Sequence, residues 1–274
     1  MDYYERNAVT NWFNFQYVLE GFSIRAQELG MIPEIFLLND LVPPTEETME
    51  KLLEPDVSGY LFHIHRNQEV IRQWTTQLQE NGKIVLCRSY APFDSCNTVY
   101  ADMRSGVRNA IRYLLDSGRR RIVLFEAGWE HDGYISARIN GYRDAHENAG
   151  IVPDPALFRI CDQLDEKEGY LEMRKLLEEK TAFDAVFAGT DTRAYGIMRA
   201  LKEAGIRIPE DVAIVGTDNL REDLNSVPTL SSVDYPMHSI GTALCDIFAE
   251  IVTKRSMEPV CRMLPCEFIR RESC

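Results

Sequence analysis

The stretch 211–274 constrains the fold more than any other part of this chain. It opens with an apolar run, Val212-Ala213-Ile214-Val215, that passes straight into Gly216-Thr217-Asp218-Asn219. A strand apolar along its whole length is covered on both faces, so its polar residues gather at its ends, here with an Asp at the carboxyl end. Pro228-Thr229-Leu230-Ser231-Ser232-Val233 supplies a second short strand, a helix follows, and 264–273 supplies a last strand. Similar short apolar runs recur at 35–38, 59–64, 84–87, 122–125 and 185–188. Segments of helical period lie between them. Val107, Ala110, Ile111 and Leu114 fall on one face with Gly118 as the stop; Ala194, Ile197, Met198 and Leu201 repeat that spacing before Gly205. A third such helix, 20–29, ends at Gly30. Strand and helix in alternation predict parallel α/β layers.

A chain of 274 residues, 45% hydrophobic and 27% charged, is an ordinary globular chain with room for two lobes. Its formal charge of −13 repels nucleic-acid phosphates, which predicts that this chain alone binds DNA poorly. No apolar run is long enough to span a membrane, and Met1-Asp2-Tyr3-Tyr4-Glu5-Arg6 does not begin a secretory signal. Seven cysteines, odd in number and without a CxxC pair, predict a reduced, cytoplasmic setting. Glycine-rich phosphate loops, dinucleotide fingerprints, nucleophile elbows and zinc-protease motifs are all missing. No enzyme and no cofactor is expected, and carboxylate runs such as Glu178-Glu179-Lys180 read as solvated helix faces.

Three further segments carry a resemblance. They are Leu115-Asp116-Ser117-Gly118-Arg119-Arg120-Arg121-Ile122, Arg138-Ile139-Asn140-Gly141-Tyr142-Arg143-Asp144-Ala145 and Ile208-Pro209-Glu210-Asp211-Val212. With 211–274 they resemble the effector-binding domain of the lac repressor and gal repressor family of bacterial transcription regulators. The resemblance covers nearly the whole chain and is strongest from Ser105 onward. It implies a fold like periplasmic binding proteins of type I, with two Rossmann-like lobes, parallel sheets flanked by helices, and three interlobe crossovers. Those crossovers fall near Ala101-Asp102, Val233-Asp234 and Arg262-Met263. The N-terminal lobe would be 1–102 plus 235–262, and the C-terminal lobe 103–234 plus 263–274.

The function implied is sensing. A small sugar-like effector binds between the lobes, favours one lobe orientation, and so changes DNA affinity in a homodimer. Candidate dimer helices are 68–80 and 240–252. Operator DNA would be read only through an N-terminal module, since the helix-turn-helix and hinge helix of the family are not in this sequence. That predicts a fragment, or a regulator whose reading head was removed. One rival is a periplasmic sugar receptor feeding a transporter, which shares the fold. The rival from another class is an enzyme on the same α/β layout.

In open α/β sheets ligands bind beyond the carboxyl ends of strands, and the candidate residues are the polar and aromatic ones at those ends. Asp218 can accept two sugar hydroxyls; its bland alternative is a helix cap or turn. Arg138, by analogy on a cleft-facing helix, could grip adjacent hydroxyls or a carboxylate; otherwise it is a surface arginine. Tyr134 lies one helical turn earlier. Arg88 ends a strand where the family often has Asp, or else is a solvated strand end. His63 and His65 share a strand face, with His65 toward the cleft and too few partners for a metal site. Trp12, Phe13 and Trp129 are placed in loops that could stack on a sugar ring. The family opens this domain with a strand before an Asn-Pro-Phe-Phe-like segment; here only ten residues precede Asn11-Trp12-Phe13-Asn14-Phe15. Thr190-Asp191 stands for the family's Asn-Asp, and Leu164 for its aromatic. Tyr235, beside the second crossover, completes the set. Arg88, Thr190 and Leu164 together tilt the expected ligand from a neutral monosaccharide toward a sugar acid.

Overall fold

A computed structural model describes residues 3–33, 45–63, 68–89, 93, 96–127, 133–161, 165–254 and 258–274, with side chains from residue 15 onward except those of 63, 68, 133 and 134. In chain order the elements are α1 (Tyr3–Glu28), α2 (Glu46–Leu52), β1 (Gly59–His63), α3 (Gln68–Glu80), β2 (Ile84–Arg88), β3 (Asn97–Asp102), α4 (Met103–Asp116), β4 (Ile122–Ala127) and α5 (Gly133–Asn148). Then come β5 (Phe158–Cys161), α6 (Glu166–Glu178), β6 (Ala185–Phe187), α7 (Asp191–Glu203), β7 (Ala213–Asp218), β8 (Ser231–Asp234), α8 (Met237–Lys254), β9 (Cys261–Pro265) and β10 (Phe268–Ile269).

The chain divides into two units. The larger holds Met1–Thr10, Asp102–Tyr235 and Pro265–Cys274, and the smaller Asn11–Ala101 and Pro236–Leu264. The smaller unit is built on a sheet of order β1-β2-β3-β9, in which β1, β2 and β3 run parallel. The larger is built on six strands in the order β10-β8-β7-β6-β4-β5, all parallel except β10, which runs antiparallel to β8. The expected apolar runs at 59–64, 84–87, 122–125, 185–188 and 212–215 give β1, β2, β4, β6 and β7; the run 35–38 lies outside the described residues. Strand β5 was not expected. It is an edge strand with Ile160 exposed and Cys161 buried, so it lacks the continuous apolar run of a central strand.

Helix α1 corrects the sequence reading at two points. It begins at Tyr3 rather than near residue 20, and Trp12 and Phe13 lie within it instead of in a loop. Neither proline nor glycine interrupts the chain from Tyr3 to Glu20, so the helix has nothing to break it. Among the described residues, those ahead of Asn11 are helical from Tyr3, where the resemblance put a strand.

The larger unit's core is formed where α6 and α7 cover the sheet, with Val123, Phe125, Met173, Leu176, Val186, Ile197, Leu201 and Ile214 all fully buried. Each such side chain contributes roughly 1.5–3 kcal/mol by leaving water. Within 138–143, two residues are structural. A Cβ on Gly141 would stand 2.5 Å from the Arg104 carbonyl oxygen of α4, so only glycine permits this close approach of the two helices. Tyr142 is fully buried and its hydroxyl donates to the Ile122 carbonyl at 2.7 Å, fastening α5 to the start of β4.

Arg119, Arg120 and Arg121 fasten the amino edge of the same sheet. Arg119 Nη1 donates to the carbonyls of Asp184 (3.1 Å) and Asp211 (3.2 Å), and Nη2 to that of Pro209 at 2.6 Å. Arg120 donates to the Leu115 and Arg119 carbonyls, and Arg121 to the Ala182 carbonyl and the Asp154 carboxylate. The basic run is thus a clasp between the loops that start β4, β6 and β7. No described helix is long and apolar enough to cross a membrane.

Candidate functional site

The carboxyl edge of the six-stranded sheet concentrates buried charge. Leu124, Phe187 and Val215 lie in register across β4, β6 and β7, so the residues just beyond them form the rim. Asp218 ends β7, opposite Asp234 of β8. It is 7% exposed and has φ +112°, a backbone state that non-glycine residues seldom occupy and that costs on the order of 1 kcal/mol or more. The short turn Arg221–Asn225 that follows is capped by Leu220 without a side-chain bond, so Asp218 is not a helix cap.

The next residue is fixed by two hydrogen bonds. Asn219, at φ +55°, donates its N–H to Ser232 Oγ at 3.0 Å and its side-chain amide to Asp234 Oδ1 at 2.9 Å. Arg271, from the C-terminal tail, donates to the Asn219 side-chain oxygen, to the Leu230 carbonyl and to Asp223. Beneath these lies Asp191, fully buried at the start of α7, accepting from Ser232 Oγ (2.7 Å) and from the Leu220 N–H (3.0 Å). A Cβ on Gly216 would come 2.0 Å from Asp191 Oδ1, so the strand must be bare there. Burial, then the charges of Asp223 and Asp218, push the Asp191 carboxyl well above the usual carboxylate range. Asp223 is raised too, chiefly by burial, while the Tyr195 hydroxyl donates to its Oδ1 at 2.6 Å.

On the other side of the rim, Glu126 and Arg138 form a buried ion pair. Arg138 Nε donates to Glu126 Oε2 and Nη2 to Oε1, both at 2.6 Å, and both side chains are fully buried. Glu126 Oε1 also accepts the Ala127 N–H at 2.9 Å. Arg193, fully buried on α7, donates to the Phe125 and Ala188 carbonyls at 3.1 and 3.2 Å, tying the ends of β4 and β6.

Of the expected site residues, Asp218, Arg138, Thr190 and Tyr235 lie on this rim or next to it, all buried. Arg138 is no surface arginine, but the fork expected to grip a ligand is engaged by Glu126. Thr190 caps α7, its hydroxyl accepting the Arg193 N–H at 3.2 Å. Arg88 ends β2 in the smaller unit and is 2% exposed, which excludes a solvated strand end. Tyr134 is on α5 with Arg138, and Trp12 and Phe13 are on α1, but their side chains are outside the described set. His65, Trp129 and Leu164 lie outside the described residues, and His63 closes β1. Among the described residues no cluster of His, Cys, Asp or Glu is arranged to hold a metal ion. Sequence reasoning missed Glu126, Arg193, Asp223 and Arg271. A carboxylate directly after an apolar strand, with an arginine in the next helix, is the signal that could have found the first.

Residues 111–274 match the family described as periplasmic binding protein-like domain. The transcriptional regulator CelR of Thermobifida fusca is 31% identical over 182 residues, covering 66% of this chain and 53% of that protein. The ribose operon repressor of Escherichia coli is 26% identical over 212 residues, 77% of this chain and 63% of the repressor. The chain therefore spans between about half and two thirds of the length of these relatives. Among solved structures, a CelR–cellobiose complex superposes with a TM-score of 0.77 at 28% identity, over 95% of this chain and 79% of that one. A LacI-family regulatory protein from Chloroflexus aggregans, at 23% identity, shares the fold with a TM-score of 0.83 over 94% of this chain and 91% of its own. The chain belongs to the family of periplasmic binding protein-like domains, in the form that lac repressor-type transcriptional regulators carry.

Proposed function

We propose that this chain is the effector-sensing domain of a bacterial transcriptional regulator, and that its effector is a small sugar-like molecule contacted by Asp218. The observation that carries the reading is Asp218 itself. A buried carboxylate at a strand's carboxyl end, at φ +112° beside a hydrogen-bonded Asn219, is strain kept where a ligand would meet it. Arg138, Thr190 and Tyr235, buried on the same rim or next to it, are further candidate contacts. The relatives named above are regulators, one solved with cellobiose, which favours a binding domain over an enzyme or a transporter receptor. Calorimetry with cellobiose, ribose and a panel of other neutral sugars tests the assignment. Asp218→Ala should weaken the best of them about 10- to 100-fold, the loss of a buried polar partner worth roughly 1–3 kcal/mol. Unchanged affinity would remove Asp218 from the site.

In the full-length protein the chain would act in the cytoplasm as a homodimer, with α3 and α8 as candidate contact helices. Operator DNA would be read by a separate N-terminal module. The arginines 119–121 support this division, because they are bound to loop carbonyls and a neighbouring carboxylate rather than offered to phosphates. Sedimentation of the chain near 31.5 kDa alone would refute the dimer, and tight low-salt binding of operator-length DNA would refute the division.

A further inference from the structure

The rim of the larger unit's sheet carries one pair whose chemistry bears on which effectors can bind. Arg138 presents Nε and Nη2 as a parallel fork, the geometry that recognises a carboxylate or phosphate in two-point fashion. Glu126 already occupies both donors at 2.6 Å, with neither side chain exposed. Glu126 is itself fixed by the Ala127 N–H at 2.9 Å. A Cβ on Gly189 would sit 3.5 Å from Glu126 Oε1, 2.5 Å from the Phe125 carbonyl oxygen and 2.8 Å from Arg193 Nη1, so the pair has a fitted wall beside it. The cation most able to attract an anionic ligand is therefore neutralised from inside the protein. The rest of the described rim is not cationic enough to replace it. Asp218 and Asp234 stand there with Arg193 and Arg271, beside Asp191 and Asp223, which burial makes hold their protons more tightly than usual, and Asp218 would face a second negative charge at short range in a poorly hydrated place.

We infer that Glu126 is a specificity-determining residue, which by occupying the Arg138 fork makes the site select uncharged polyols over sugar acids and sugar phosphates. The inference rests on the sugar-effector reading above and names its class. It reverses the sugar-acid preference expected from Arg88, Thr190 and Leu164.

The test pairs each neutral sugar with its acid, glucose with glucuronate and galactose with galacturonate, on wild type and Glu126→Gln. Wild type should bind the better neutral sugar at least tenfold more tightly than its acid. In Glu126→Gln that ratio should fall at least tenfold, because the neutral amide accepts from only one arm of the fork and leaves the other arm and the uncompensated positive charge to the ligand carboxylate. A wild-type preference for the acid, or an unchanged ratio in the variant, overturns the inference. If no sugar binds either protein, the effector reading fails by itself, and Glu126 is judged with inorganic phosphate. Phosphate should then raise the melting temperature of Glu126→Gln more than that of wild type, and equal shifts overturn the inference. Glu126→Ala covers the case in which Glu126→Gln does not fold. Formate, and not formamide, should restore its native melting transition by entering the vacated fork; restoration by neither or by both overturns the inference.

Discussion

The two edges of the six-stranded sheet use the same side chain to opposite ends. At the amino edge, Arg119 directs its fork at three backbone carbonyls, and its neighbours do much the same. At the carboxyl edge, Arg138 directs its fork at a carboxylate, and Arg271 reaches Asp223 and Asn219. Carbonyls bear only partial charges, so the amino-edge clasp mainly fixes loops, and its ion pair, Arg121 with Asp154, is about 40% exposed and screened by water. The carboxylate partners at the carboxyl edge are fully buried, and they set the charge that a ligand bound there would meet. Removing an arginine should therefore have different consequences at the two edges.

The largest effect is expected at the carboxyl edge. Arg138→Ala leaves Glu126 ionisable, fully buried and without its fork, which should cost about 3–5 kcal/mol of folding stability. Chemical denaturation of the larger unit's transition measures it. A loss below about 1 kcal/mol would mean that water or another group readily replaces the guanidinium, and the contrast between edges would collapse.

Arg119→Ala tests the amino edge. Arg119 is only half-buried, and its loss frees three carbonyls of which some can turn to water, so about 1–3 kcal/mol is expected. Affinity for any sugar that the wild type binds should stay the same, because the hydrogen bonds of Arg119 lie at the opposite end of the strands. A parallel fall in affinity and stability would show that the two edges are mechanically coupled.

The amino edge was also the more legible one. Val123, Val186 and Ile214 lie in apolar runs that could only be buried strands, and the stop glycines Gly118 and Gly205 follow the helices they were expected to end. The carboxyl edge depends on partners far apart in the chain: Arg271 and Asp223 are 48 residues apart, and Ser232 and Asp191 are 41. No local spacing shows that an Asp beside a helix start will lie under a glycine of another strand. Glu126 escapes a reading of the sequence because a carboxylate next to an apolar run looks like the point where the chain meets solvent. Its burial is intelligible only once Arg138 is folded back over it. Trp12 and Phe13 were misplaced for another reason: the family pattern suggested a loop, whereas an unbroken run of helix-tolerant residues made a helix.

The smallest expected effect distinguishes the edges by pH. His146 sits near the end of α5, one turn beyond the Tyr142 that is fastened to the start of β4, and is 1% exposed. Its Nδ1 donates to the Tyr142 carbonyl at 2.9 Å, and burial lowers its affinity for a proton below that of an exposed histidine. The folded state thus favours neutral imidazole, while the unfolded chain takes up a proton near pH 6.5. Stability from this group is present above about pH 6.5 and is lost as pH falls through the lower folded value, by no more than about 1 kcal/mol between pH 7 and 5.5. Asp191 has the opposite sign: its proton is held in the folded state, so its contribution is present at low pH and lost as pH rises. Wild-type melting temperatures alone would mix the two. The difference between wild type and His146→Gln isolates the amino-edge group, and it should shrink as pH falls from 7 to 5.5 because only the wild type loses stability to imidazole protonation. A difference that stays constant would mean that His146 titrates alike in the folded and unfolded chains, and the acid loss would have to be sought elsewhere.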